Sequence, residues 1–204
     1  PGLVVDVYGR TAVVQAHSVG MHCNRMDIAQ AIVDVLGDKI LSVYYKSETT
    51  LPYKAQADNS TGYIIGGHLN DVPLEYGLKL PVDWINGQKT GLFIDQRENR
   101  ALLEKYSNGR SVLNMFCYTG GFSLAALRGG AKLVHSVDSS AKATELTVKG
   151  VKDNFPDDNR HKAFAEDAFK FLDNMKEKYD LIILDPPAFA KHRDALKRAL
   201  IGYR

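Results

Sequence analysis

Cysteine is scarce in this chain: Cys23 and Cys117 are the only two among 204 residues, far apart in sequence and without a CxxC spacing. That excludes a disulfide framework and a cysteine-based zinc site, and it fits a reduced, metal-free protein. Long apolar runs are also missing. None approaches the roughly 20 residues that cross a bilayer, and the first residues lack a basic stretch followed by an apolar core. The expectation is a cytoplasmic protein without a membrane partner. Nor does charge of one sign dominate, since 26 Lys+Arg stand against 24 Asp+Glu for a net charge of +2, too little by itself to announce a nucleic-acid binder.

What is present is ordinary globular material, 45% hydrophobic and 25% charged, enough for one large domain or two small ones. The near-neutral balance hides an asymmetry. Residues 1–87 carry a net charge of −3 and the remainder +5. Positive charge is densest between Ala188 and Arg204, where Lys191, Arg193, Lys197, Arg198 and Arg204 face Asp194 alone. Such a run is ordinarily a solvated helix face, and it gains meaning as a phosphate contact only beside an active site. The chain opens on Pro1 rather than Met, so further residues are expected before it.

Two halves of different texture follow. Leu3 to Asp6 and Thr11 to Ala16 read as a hairpin with Gly9 in its turn. Asn24 is placed to cap a helix whose apolar positions Ile28, Ile32, Val33, Val35 and Leu36 end at Gly37. Short strands are expected at Lys39 to Tyr45, Gly62 to Ile65, around Pro73 to Leu74, and from Leu78 to Val82. This half, residues 1–87, is a small α+β domain. From residue 88 onward the pattern changes. Asp95, with Glu98 behind it, is placed to cap a helix through Tyr106. Strands at Ser111 to Phe116, Leu133 to Val137, His161 to Ala165 and Tyr179 to Leu184 then alternate with helices at Phe122 to Arg128, Ala141 to Val151 and Ala168 to Met175. A βαβαβαβ series specifies a parallel sheet of about four strands with helices on its faces.

Ligands of open parallel sheets sit beyond the carboxyl ends of the strands, so four places matter. The first, Cys117-Tyr118-Thr119-Gly120-Gly121-Phe122, is a tight glycine turn into a helix. It either lets a ligand approach the backbone or only permits close packing, and it lacks the three-glycine spacing that admits the pyrophosphate of a dinucleotide. The second is Asp138, 18 residues after Gly120, near the spacing at which a carboxylate accepts both hydroxyls of a ribose; it is equally suited to capping the next helix. The third is Glu166-Asp167-Ala168, where a carboxylate suits an adenine amino group and a neighbouring N–H a ring nitrogen. Asp167 also occupies a helix-capping position, and one residue can do both. The fourth, Asp185-Pro186-Pro187-Ala188-Phe189, is the most specific. Two prolines forbid helix and strand, remove two donors and leave a stiff acceptor wall beside an aromatic, as recognition of an extruded base requires. The alternative is a proline turn with a core phenylalanine.

Together these segments resemble the RlmI-like family of S-adenosylmethionine-dependent 23S rRNA cytosine-C5 methyltransferases. The likeness also rests on Gln88 to Arg97, on Val112 to Phe122 and on Ser136-Val137-Asp138, and residues 1–87 look like that family's central domain. The resemblance implies a Rossmann-like class I methyltransferase domain from residue 88 onward, S-adenosylmethionine as cofactor, and 23S rRNA as partner. It implies a ribose contact at Asp138 with Ser139 beside it, an adenine contact at Asp167 and Ala168, and a methionine site made by Asn114 and the turn of Phe116, Tyr118, Thr119, Gly120 and Gly121. Lys89, Thr90, Gly91 and Phe93 would close over the cofactor; by themselves Lys89 to Gly91 read as an interdomain turn. Asp185 would border the cofactor and orient the base, with Pro186, Pro187, Phe189, Lys191 and Arg193 against RNA. A homodimer is allowed for. The chain departs from the family pattern at Ala188, where the family has Lys, and at Leu74-Glu75-Tyr76, where it has Glu-Glu-His.

The family also has an N-terminal PUA domain and later strands that bear a catalytic cysteine. Cytosine C5 becomes reactive only once a thiolate adds to C6. Cys117 sits in the glycine turn and Cys23 in the other half, so the nucleophile is expected beyond Arg204 and the fragment alone is expected to be inactive. Two other readings stand beside this one. Asp-Pro-Pro-Ala-Phe resembles the motif of exocyclic amino methyltransferases acting on guanine N2 or adenine N6, which need no cysteine. A non-catalytic RNA- or cofactor-binding module would use the same binding residues.

Overall fold

The computed structural model describes residues 2–51, 61–187 and 200. The chain forms two compact units, Pro1–Arg97 and Glu98–Arg204, a division after Arg97 rather than after Gly87.

In the first unit β1 (Leu3–Tyr8) and β2 (Thr11–Ala16) form an antiparallel hairpin in which Tyr8 pairs with Thr11. The two-residue turn places Gly9 at a φ of 59°, the left-handed region that glycine enters without cost. Helices α1 (Val19–Cys23) and α2 (Arg25–Leu36) carry the chain across to β3 (Ser42–Tyr45), which runs parallel to β2, and β4 (Gly62–Ile65) closes the sheet antiparallel to β3. Ala12, Val14, Ala16, Ala29, Ile40, Val43 and Tyr45 form the core between sheet and helices. Three local expectations are corrected here. The Asn24 side chain does not cap α2; its amide donates instead to the Gly20 carbonyl. The run from Lys39 is not strand from its start, because a 3-10 turn occupies Gly37–Lys39 and β3 begins at Ser42. Val35 is 81% exposed, so the apolar stripe of α2 is narrower than its sequence suggests.

A two-stranded ladder, β5 (Leu74–Glu75) with β6 (Leu78–Lys79), follows. The next stretch is tied to the first sheet. Lys46 Nζ donates to the Gly87 carbonyl, the buried Gln15 amide to the Lys89 carbonyl, and Thr90 Oγ1 to Asp6 while pairing with the Tyr8 hydroxyl. These bonds explain why residues 88–97 belong with the first unit. Asp95 falls within a 3-10 turn, Ile94–Gln96, instead of standing ahead of a helix as its cap.

The second unit holds α3 (Arg97–Tyr106, whose first residue closes the first unit) and the alternating series β7 (Ser111–Met115), α4 (Gly121–Arg128), β8 (Leu133–Asp138), α5 (Ala141–Asn154), β9 (His161–Ala165), α6 (Ala168–Asn174) and β10 (Leu181–Leu184). All four strands are parallel, in the order β10-β7-β8-β9. The fold is therefore α/β, as the alternation of segments predicts. Leu113, Met115 and Val137 pack against Ala168 and Phe171 of α6 on one face. On the other face a buried polar chain links four elements: Asn114 Nδ2 donates to Ser123 Oγ, Ser123 pairs with Ser136 at 2.6 Å, and Ser136 meets His161 Nε2 at 2.8 Å.

Candidate functional site

The strand order creates the site. From β7 the chain steps outward through β8 to β9, then returns to the other side of β7 as β10. The order thus reverses between β7 and β10, the kind of switch point at which open α/β sheets bind ligands. Register makes the edge level. Leu184 pairs with Met115, Met115 with Val137, and Val137 with Phe164. The next residues along each strand are therefore neighbours at one edge: Asp185, Phe116, Asp138 and Ala165.

After β7 the backbone leaves extended geometry at once. Phe116 and Tyr118 take φ values of 55° and 48°, and Gly120 follows at 81°. Two left-handed non-glycine residues in three positions are strained, at a cost of about 1–3 kcal/mol each, and persist only when neighbours hold them. A holder of Tyr118 is visible. Asp138 accepts the Tyr118 N–H on one oxygen and the Ser140 N–H on the other, both at 2.9 Å. Each carboxylate oxygen keeps a second lone pair, so Asp138 orders both loops and retains acceptor capacity for a diol. Its expected capping role is taken by Ser140, which accepts from Ala143 N–H at the start of α5. Ser139, between them, is exposed.

Gly120 precedes α4 without any side-chain cap, so the first-turn N–H groups of that helix have no partner from a cap and suit a carboxylate. A Cβ on Gly120 would stand 2.4 Å from Thr147 Cγ2, and one on Gly121 would stand 3.1 Å from Arg100 Cδ. Beside them Thr119 is fully buried, and its Oγ1 has no hydrogen-bond partner. Buried hydroxyls are rarely left so. An orphaned hydroxyl next to a glycine turn and an uncapped helix start fits a small zwitterionic ligand moiety at this turn. Thr147 and Arg100, the residues that close round the two glycines, were not singled out by sequence. A threonine inside a helix and an arginine in an amphipathic one carry no local signal of such a role.

Cys117 is buried, and desolvation, reinforced by the Asp138 charge, pushes its thiol up to about 12. It is not a nucleophile at neutral pH. Cys23, at the end of α1, is exposed. After β9, Asp167 caps α6, its Oδ1 accepting from Phe169 and Lys170 N–H at 3.1 Å; it is exposed, and Ala168 behind it is buried. Asn114 is fully buried, with its amide given to Ser123, which withdraws that nitrogen from the edge. Asp185, Pro186 and Pro187 directly follow β10, with Asp185 exposed. Phe189, Lys191 and Arg193 lie outside the described residues. Lys89, Thr90, Gly91 and Phe93 lie in the first unit, with Lys89 at a φ of 52° and exposed and Thr90 buried. No group of three or more His, Cys, Asp or Glu suited to a metal occurs among the described residues, and none of their helices is long and apolar enough to cross a membrane.

A family model described as S-adenosylmethionine-dependent methyltransferase matches residues 42–200. Among curated proteins, the Ribosomal RNA large subunit methyltransferase I of Aeromonas hydrophila is 39% identical over the whole chain, and that of Alteromonas mediterranea is 38% identical; the chain covers 52% of each. It thus spans about half the length of these relatives. Among solved structures, SMU.776, described as a methyltransferase complexed with SAH, aligns with 95% of the chain and 50% of its own at a TM-score of 0.78 and 29% identity. Trm5b of Pyrococcus abyssi, at 20% identity and a TM-score of 0.71 over 98% of the chain and 56% of its own, shares the fold.

Proposed function

This chain belongs to the S-adenosylmethionine-dependent methyltransferases, and from that premise we propose that it is the cofactor-holding part of an enzyme that methylates a base of large-subunit ribosomal RNA. The observation that carries the reading is the level row of strand ends, where Asp185, Phe116, Asp138 and Ala165 meet beside the β7/β10 switch point.

When bound, S-adenosylmethionine supplies an electrophilic methyl group on a sulfonium. Under this reading Asp138 accepts the ribose hydroxyls with the oxygen lone pairs that Tyr118 and Ser140 leave, and Ser139 lies alongside. The turn of Phe116, Tyr118, Thr119, Gly120 and Gly121 receives the methionine part, its carboxylate toward the start of α4 and Thr119 Oγ1 gaining a partner. Asp167 accepts the adenine amino group on Oδ2, since its cap bonds use Oδ1, and the backbone of Ala168 serves the ring. Lys89, Thr90, Gly91 and Phe93 enter the proposal on the strength of their motif alone. At the end of β10, Asp185 orients the target base, and the donor-free Pro186 and Pro187 form the rigid wall against it.

The names of the relatives support large-subunit RNA as the substrate, and the finer reading is methylation of cytosine at C5. That chemistry needs a thiolate, which Cys117, held near a pKa of 12 by burial, does not provide. The nucleophile then comes from the part of the relatives' length that this chain does not span.

The test is transfer of radiolabel from S-adenosylmethionine to ribosomal RNA by the full-length protein, followed by nucleoside mass analysis. 5-Methylcytidine is the expected product, and Asp138→Ala is expected to abolish transfer. An N-methylated guanine or adenine would move the assignment to exocyclic amino chemistry, and absence of transfer from the wild-type protein would leave a binding module.

A further inference from the structure

We infer that Thr147, on α5 and outside every motif of the site, is a positioning residue that sets cofactor affinity by holding the Tyr118 peptide in its left-handed conformation. The inference rests on the reading that the Phe116–Gly121 turn receives the cofactor.

Thr147 is fully buried in the middle of α5. Its hydroxyl lies 3.0 Å from the carbonyl of Ala143, one turn back in its own helix, and 3.1 Å from the carbonyl of Tyr118 in the turn. A hydroxyl has one proton, so the Tyr118 carbonyl shares a donor that the helix would otherwise keep. The Tyr118 N–H is at the same time held by Asp138. Tyr118, with its φ of 48°, is thus fastened at both ends by side chains from two later elements, one at the end of β8 and one on α5. The Thr147 methyl does a second job. It fills the space over Gly120 in which a Cβ would stand 2.4 Å away, so turn and helix interlock and the strained backbone has no room to relax toward the helix. The Cys117 thiol, 3.9 Å from Thr147 Oγ1, closes the cluster.

An interlock of this kind concerns the shape of the turn more than the stability of the unit. Without the hydroxyl, the Tyr118 carbonyl loses the stronger of its donors, the Cys117 thiol at 3.7 Å being a weaker one, and the peptide is freer to rotate. Such rotation displaces the Thr119 and Gly120 backbone about a residue already outside its preferred region.

The experiment is calorimetric titration of S-adenosylmethionine into the full-length protein and its Thr147→Val, Thr147→Ser and Thr147→Ala variants, with the melting temperature and the turnover at saturating cofactor measured for each. Thr147→Val keeps the shape and removes the hydroxyl, and is expected to weaken binding about tenfold, the worth of roughly one net hydrogen bond, with turnover at saturation within about twofold of wild type. Thr147→Ser keeps the hydroxyl but loses the methyl over Gly120, and is expected to bind more tightly than Thr147→Val and somewhat less tightly than wild type. Should Thr147→Val not fold, the Ser and Ala variants make the same comparison, Ser binding about tenfold more tightly than Ala. Loss of melting temperature with unchanged affinity in the hydroxyl-free variants would overturn the inference and leave Thr147 a packing residue. Asp138→Ala separates the two levels: if it binds cofactor as wild type does, the placement of the cofactor has failed and the inference falls with it, whereas loss of binding in Asp138→Ala with full binding in Thr147→Val refutes Thr147 alone.

Discussion

Burial decides what Cys117 does. Its thiol, pushed up to about 12 by desolvation and the nearby Asp138 charge, stays protonated through the neutral range, whereas Cys23 is exposed. Iodoacetamide at pH 8 followed by peptide mass analysis is expected to label Cys23 and spare Cys117 in the folded protein; comparable labelling of both would contradict the buried assignment. Gly120 is the other single position on which the turn depends. Its φ of 81° and the 2.4 Å approach of Thr147 leave no space for a methyl group, so Gly120→Ala is expected to cost on the order of 2 kcal/mol or more of stability. Chemical denaturation measures this, and a midpoint unchanged from wild type would refute it. At this scale the sequence is partly readable. Asp138 stands out because a strand end and a spacing from Gly120 can both be counted, and Asp167 because a cap is a local matter. The left-handed conformations of Phe116 and Tyr118 could not be read, since nothing about a Phe or Tyr announces such a φ; the tertiary bonds from Asp138 and Thr147 that hold Tyr118 come from 20 and 29 residues away.

Among the elements, three of the four strands of the second unit are joined by more than their ladders. The polar chain Asn114–Ser123–Ser136–His161 stitches β7, α4, β8 and β9 beneath the site. Burial first, then the proximity of His135, holds His161 down to about 4, with Asp158 opposing. A histidine depressed from about 6.5 in the unfolded chain is neutral when folded, so the unfolded state binds more protons between these values. Stability from this source is full above about pH 6.5 and falls as pH drops toward 4, by an amount of about 3 kcal/mol. Unfolding measured across pH 4–7 should show this loss in the wild type and a shallower slope in His161→Gln; parallel curves would mean that His161 does not titrate on unfolding. The alternation of strands and helices was legible because each βα unit carries its own period of apolar residues. Asn114 enters as a site residue through the family resemblance alone, and strand alternation turns its amide nitrogen toward Ser123 of α4. The short helix α1, capped by Ser18, had too few residues to show a period. Asp95 lies within the 3-10 turn Ile94–Gln96 and not ahead of α3, a difference that its local sequence pattern does not signal.

For the molecule as a whole, the family follows from the match over residues 42–200, and the chain covers about half of the curated relatives. The net charges of −3 for residues 1–87 and +5 for the rest put the greater share of phosphate-attracting charge in the half that holds the proposed site. Full-length protein should therefore lose affinity for ribosomal RNA as salt is raised from 50 to 200 mM, by the counterion effect, with cofactor affinity little changed; filter binding measures the first and titration the second, and a salt-independent RNA affinity would argue against a phosphate-dominated contact. A crystal structure of the full-length protein with S-adenosylhomocysteine bound locates the cofactor. The nucleoside ribose is expected within hydrogen-bond distance of Asp138 and the amino-acid part along the Phe116–Gly121 turn. A ligand bound without contact to Asp138 or to that turn would contradict this placement.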